Sequence, residues 1–304
     1  MSNSKTVGTW YGLLAMFAFS LTLPATRVAV LHLHPWVVGF GRPVIAGMLA
    51  AVLLFATGQR PPARRYWKSF ALVVLGVVIG VPVLFAWGMQ NLPSAHGGIT
   101  LGLLPLATAL VAALRAGERP SKQFWMASAV GSSAVIAFSM SRGAGKFQVG
   151  DLILLLSVLS SAVGYVEGAR LARVFPGWQV ISWALVFGAP LLVIPLIFAI
   201  RAHGIDAPPQ AWWGFAYLCT VSQFTGLFAW YKGLSLGGIS RIGQLQLLQP
   251  FSTILFSVLL LGESVTLSML VAATVVVASV AVGRKAAIEV HYRTSQAPNT
   301  SESL

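Results

Sequence analysis

The chain has 304 residues, 57% of them hydrophobic and only 9% charged, with a mean hydropathy of +0.80. These values exclude a soluble globular domain and place the chain in a membrane. Its net charge of +13 would point to nucleic acid in a soluble protein; here the basic residues sort by side of a bilayer, so no nucleic-acid partner is expected.

A helix needs about 20 mostly apolar residues to cross about 30 Å of hydrocarbon. In chain order, candidate spans fall at 9–31, 36–57, 67–90, 95–114, 122–141, 150–171, 178–200, 211–231, 239–261 and 265–283. Their apolar runs are continuous, which favours helices over the alternating strands of a barrel. The first run lacks a small-residue cleavage site and reads as a retained span rather than a signal peptide. Trp10, Trp36, Trp67, Trp125, Trp178, Trp212 and Trp213 mark span starts as an interfacial belt. The polar segment 285–304 is expected to be a disordered cytoplasmic tail.

The second half repeats the first with a shift of about 143 residues. Ala86-Trp87 recurs as Ala229-Trp230, Arg27 as Arg170, and Pro105 with Gly117-Glu118 as Pro250 with Gly262-Glu263. Five spans per copy, 9–141 and 150–284, invert the second copy. The expected fold class is therefore an all-α integral membrane protein of ten transmembrane helices in two inverted five-helix repeats, the usual build of a secondary transporter.

With ten spans both termini share a side, and fifteen Lys and Arg fall on it. The other side has Arg27, Arg142, Lys146 and Arg201, while Arg42 lies within the second span. The positive-inside rule then puts both termini in the cytoplasm.

Polar residues at membrane depth are few. Gln244, Gln246 and Gln249 lie on the ninth span. Gln246 and Gln249 are three apart and share a face; Pro250 follows and is expected to break the helix and free a carbonyl. On the fourth span Thr100 and Thr108 flank Pro105. Two proline-broken helices at matching positions point to a midplane site, though polar glue between helices would use the same residues. Arg42 either snorkels outward or faces a central cavity as a carboxylate anchor. Glu167 and Arg170, one turn apart, read as an ion pair, with a gating or proton-coupling role as the alternative. Tyr165, Trp87 and Trp230 could stack on a substrate or anchor at the interface.

No catalytic set is present: there is no His-Glu-x-x-His, P-loop, Gly-x-Ser-x-Gly or cysteine pair. An enzyme, a metal site and a cofactor are therefore not expected, and Cys219 can form no internal disulfide. The partner is a small-molecule substrate moved by its own gradient or by exchange. Whether the protein is a monomer or a dimer stays open.

The repeat, the proline-to-glutamate spacing of 13 in both halves, His34-Pro35-Trp36 leading to Gly41-Arg42-Pro43 with Ala46, and the Leu260-Leu261-Gly262-Glu263 ending together resemble the EamA family of the drug/metabolite transporter superfamily. The resemblance covers about residues 9–284. It implies a ten-helix basket with a central cavity, alternating access, and in many members export of amino acids or related metabolites across a bacterial inner membrane. A permease for organic cations or drugs is the alternative. Pro43, directly after Arg42, is expected to turn that helix.

Overall fold

The computed structural model describes residues 2–89, 94–141, 149–252, 255–256, 267–286 and 288–290. The chain is almost entirely helical. Six helical stretches are long and apolar enough to cross a membrane among the described residues: Ser4–Val30, Pro35–Ala56, Arg64–Phe85, Lys122–Ser141, Val149–Leu171 and Gly177–His203. Their outer faces expose large apolar side chains such as Phe55, Met126 and Phe198, the surface of a protein solvated by lipid.

The first stretch is two helices, α1 (Ser2–Ser20) and α2 (Thr22–Val30). Pro24 explains the break, since it cannot donate to the Ser20 carbonyl one turn back. Two neighbouring carbonyls take side-chain donors from distant helices: Ala18 O accepts Tyr217 Oη at 2.5 Å and Phe19 O accepts Gln249 Nε2 at 3.2 Å.

Helix α3 (Pro35–Ala56) starts with Pro35 in its first turn and His34 as N-cap, whose Nδ1 accepts the Trp36 N–H at 3.3 Å. It runs unbroken through Pro43. The proline thus removes one backbone hydrogen bond without interrupting the helix.

The third and eighth segments share an unusual feature. Helix α4 (Trp67–Val73) passes through a π-helical stretch, Val74–Gly80, into α5 (Val81–Met89). Likewise α10 (Pro209–Tyr217) passes through a π-helical stretch, Leu218–Thr225, into α11 (Gly226–Gly237). The two stretches occupy corresponding positions in the sequence repeat. Such wide turns concentrate at functional sites because they rotate the side chains that follow.

Between these lie α6 (Ser94–Arg115), α7 (Lys122–Ser141), α8 (Val149–Leu171) and α9 (Gly177–His203). Pro105 sits inside a continuous α6, so the break expected there is not observed. In the ninth segment, α12 (Ile239–Gly243) tightens into a 3-10 turn, Gln244–Leu248, just before Pro250. The carbonyl expected to be free is occupied: Gln246 O accepts the Gln249 N–H, the shorter 3-10 bond replacing the one Pro250 cannot make. The last helix is α13 (Leu267–Lys285).

Helix α3 packs along α9, α1 along α11, α7 along α13, and α8 along the α4–α5 segment. The main core joins both halves through Phe19, Phe70, Tyr165, Ile181, Trp230 and Leu247. At Gly76 a Cβ would lie 2.8 Å from Gly164 Cα, so the first π stretch and α8 meet backbone to backbone. One small sheet caps the bundle: β1 (Glu118–Pro120) pairs antiparallel with β2 (Ile288–Val290), Arg119 opposite Glu289. The segment expected to be disordered therefore begins with Lys285 at the end of α13 and includes the strand Ile288–Val290, while 287 and 291–304 lie outside the described residues.

Candidate functional site

A cavity of about 300 Å³ runs into the bundle. It reaches from Gln246 and Gln249 at depth to Val30 and Pro35 beside the turn between α2 and α3. Both halves of the sequence line it, through α1, α2, α3 and the α4–α5 segment on one side and α8, the second π stretch and the 3-10 turn on the other.

Arg42 of α3 lines this cavity. One guanidinium nitrogen donates to Ser222 Oγ at 2.9 Å, and its Nε is buried with no partner. Ser222 Oγ in turn lies 2.7 Å from Thr22 Oγ1. This places the positive charge inside the cavity, not at its surface. The π register of Leu218–Thr225 turns both Ser222 and Gln223 inward; Gln223 Nε2 donates to Val77 O, in the partner π stretch, at 3.3 Å.

In a 3-10 turn residues three apart eclipse one another, so Gln246 and Gln249 both face the cavity while Gln244 does not. Gln244 Nε2 instead donates to Ser128 Oγ on α7 at 2.7 Å, joining two helices. Gln249 spends its amide on Phe19 O, whereas Gln246 Oε1 is buried without a partner. Tyr165 lines the same wall, beside Gln246.

The other expected site residues are elsewhere. Trp230 is fully buried behind the wall, edge-on to Phe19 at 6.0 Å and to Tyr165 at 5.4 Å. Trp87 is 50% exposed and tilted against Trp36, away from the cavity lining. The side chain of Thr100 lies outside the described residues; Thr108 is buried and does not line the cavity.

Buried carboxylates tie helices together at the end opposite the α2–α3 turn. Glu167 is fully buried, and its Oε1 accepts Arg115 Nε at 2.6 Å and Arg170 at 2.8 Å. Glu118, also buried, accepts the backbone N–H groups of Ile239 and Ser240 at 2.7 and 2.8 Å, holding the start of α12. Tyr231 Oη donates to Gly164 O at 3.3 Å.

Sequence reasoning did not single out Thr22, Thr26, Ser157, Ser161, Ser222 or Gln223, all of which line the cavity. A signal existed in adjacent Ser222-Gln223 within an apolar span and in Thr22 and Thr26 at helical spacing. Glu118 was visible only as part of the repeated Gly-Glu pair.

The model of the EamA-like transporter family matches the sequence twice, over residues 6–140 and 148–283. The chain belongs to the EamA-like transporter family. A multi-pass membrane protein of this kind moves small molecules, and the resemblance drawn from the repeat and its motifs agrees with the match. Among its EamA relatives is the uncharacterized transporter YdeK of Bacillus subtilis, 42% identical, with 93% of this chain and 99% of YdeK aligned. A probable terminal-alkyne amino-acid exporter of Streptantibioticus cattleyicolor is 24% identical over 84% of this chain and 85% of its own. The uncharacterized inner membrane transporter YedA of Escherichia coli K12 is 25% identical over about half of each chain (52% and 53%). A crystal structure of another protein, 19% identical, superposes with a TM-score of 0.76 over 91% of this chain and 97% of that one, which establishes a shared fold.

Proposed function

We propose that this EamA protein is a secondary transporter built of ten transmembrane helices in two inverted five-helix repeats, 9–141 and 150–284. It exports small metabolites, amino acids or related compounds, by alternating access across a bacterial inner membrane, with both termini cytoplasmic. The observation that carries this reading is the deep cavity of about 300 Å³, lined from both halves and containing Arg42, Gln246 and Tyr165. Pockets of this size suit small ligands.

Packing supports the repeat reading. The contact of α1 with α11 and that of α8 with the α4–α5 segment are exchanged when the halves are exchanged, while α3–α9 and α7–α13 map onto themselves. The paired π stretches obey the same relation. The resulting conformation is open toward the α2–α3 turn and closed at the other end by Glu167, with Arg115 and Arg170, and by Glu118. Export would require these ties to release. Among the described residues no acid lines the cavity, which disfavours organic cations as cargo.

Flux of labelled amino acids in liposomes containing the purified chain, with and without a proton gradient, tests the proposal. Saturable amino-acid flux supports it. Flux of amines alone would transfer the protein to the cation-permease class.

A further inference from the structure

We propose that the cavity selects its cargo by net charge: it takes a small monocarboxylate with an apolar tail and a neutral hydrogen-bond donor, in preference to the corresponding zwitterion or cation. The proposal rests on the transport reading of the same cavity and names its substrate class.

Charge balance leads to it. Arg42 is the one Lys or Arg that lines the cavity among the described residues. The acids with described side chains are Glu118, Asp151, Glu167 and Asp206, and none is in the lining. Glu167 is held by two arginines and Glu118 by two backbone amides at the closed end. Asp151 is buried near the start of α8 and Asp206 is exposed in the loop before α10. A buried charge is stable when paired. A carboxylate beside Arg42 brings the occupied cavity to neutrality, a zwitterion returns it to one positive charge, and a cation raises it to two.

The donor pattern agrees. Ser222 Oγ accepts from Arg42, so the guanidinium is positioned, and the buried Nε has no partner. Planar Arg donors suit a carboxylate fork. Across the cavity Gln246 Oε1 is a buried neutral acceptor without a partner. A neutral acceptor of this kind satisfies a hydroxyl or amide N–H, whereas an ammonium would also need a counter-charge. Phe19, Val77, Val81, Phe85, Leu104 and Leu227 supply the apolar walls.

The test is a matched series sharing one side chain: 2-hydroxy-4-methylpentanoate (monoanion), leucine (zwitterion) and leucinamide (cation). Binding is read by intrinsic tryptophan fluorescence of the purified full chain in nanodiscs. The hydroxy acid is expected to bind at least about tenfold more tightly than leucine, with leucinamide weaker still. Arg42→Gln is expected to abolish the preference and Arg42→Lys to retain it at lower affinity. The unmodified protein carries the comparison even if a variant does not fold. Leucine or leucinamide binding as tightly as the hydroxy acid, or no binding of the hydroxy acid, overturns the proposal. Binding in that order without flux in liposomes would sink the transport reading and leave charge selection standing. Saturable leucine flux that the hydroxy acid does not inhibit would do the reverse.

Discussion

Glu118 holds Ile239 across the fold: its carboxylate accepts the Ile239 N–H at 2.7 Å and the adjoining Ser240 N–H at 2.8 Å. These two amides open α12 and have no partner within their own helix. Gly117 (φ +70) turns the chain out of α6, and Gly238 (φ +90) caps α12, so the two positive-φ glycines bring carboxylate and amides together.

Glu118→Ala is therefore expected to destabilise the purified protein by about 1.5–3 kcal/mol, the range for a hydrogen bond to a charged group. Glu118→Gln keeps one acceptor and should recover part of the loss. Thermal midpoints of the three proteins in one detergent decide it; equal midpoints for wild type and Glu118→Ala would show that the clasp adds nothing.

Glu167 presents a different dependence, because Arg115 and Arg170 share its Oε1 while Oε2 is buried without a partner. Either arginine alone still pairs the buried carboxylate. Arg115→Ala and Arg170→Ala should each cost little, about 1 kcal/mol or less, as for half-exposed ion pairs. The double variant leaves the charge unpaired and should cost about 3–5 kcal/mol. Unfolding measurements on all four proteins give the cycle, and strictly additive losses would mean the arginines act independently.

The sequence made the repeat, the helical membrane class and the Gln246–Gln249 face legible, because hydropathy and residue spacing report them directly. Arg170 near Glu167 was readable at helical spacing, but Arg115 was not, since it reaches Glu167 from another helix. Thr22 and Thr26 share a face at helical spacing, but which way that face points follows from the break before α2, and the orientation of Ser222 and Gln223 depends on the π register, which a 3.6-residue period does not reveal. Trp87 and Trp230 are repeat mates in sequence, yet one is half exposed and the other sealed in the core. Their identity as large aromatics could not separate core, interface and cavity.

His34, in the turn before α3, stacks on His203 at the end of α9 with ring centroids 3.4 Å apart. Desolvation and, second, the neighbouring His203 lower its pKa from the ordinary 6.5. The native state then binds fewer protons than the unfolded chain just below 6.5, so this contribution is complete above that pH and is lost as pH falls through the window beneath it. The thermal midpoint should drop from about pH 7.5 to about pH 5, and His34→Asn, which keeps an N-cap acceptor, should flatten the drop. An unchanged slope in that variant would assign the pH dependence to other groups.

Gln246 and Gln249 line one cavity face but use their amides differently, which separates binding from folding. Gln249 ties the ninth segment to the broken end of α1 through Phe19 O. Its replacement by alanine leaves that carbonyl unsatisfied, at a cost of about 1–3 kcal/mol. Gln246 has a free buried Oε1 and its side chain also hydrogen-bonds Tyr165, so Gln246→Ala leaves no backbone carbonyl unsatisfied and should lower the thermal midpoint less than Gln249→Ala does. It should instead weaken substrate affinity about tenfold, the loss of one hydrogen bond to cargo. Transport KM and thermal midpoint measured on both variants distinguish the cases. Should Gln246→Ala unfold the protein while Gln249→Ala alone raises KM, the two roles are reversed, and the cavity's binding face is centred on Gln249 and α1 instead.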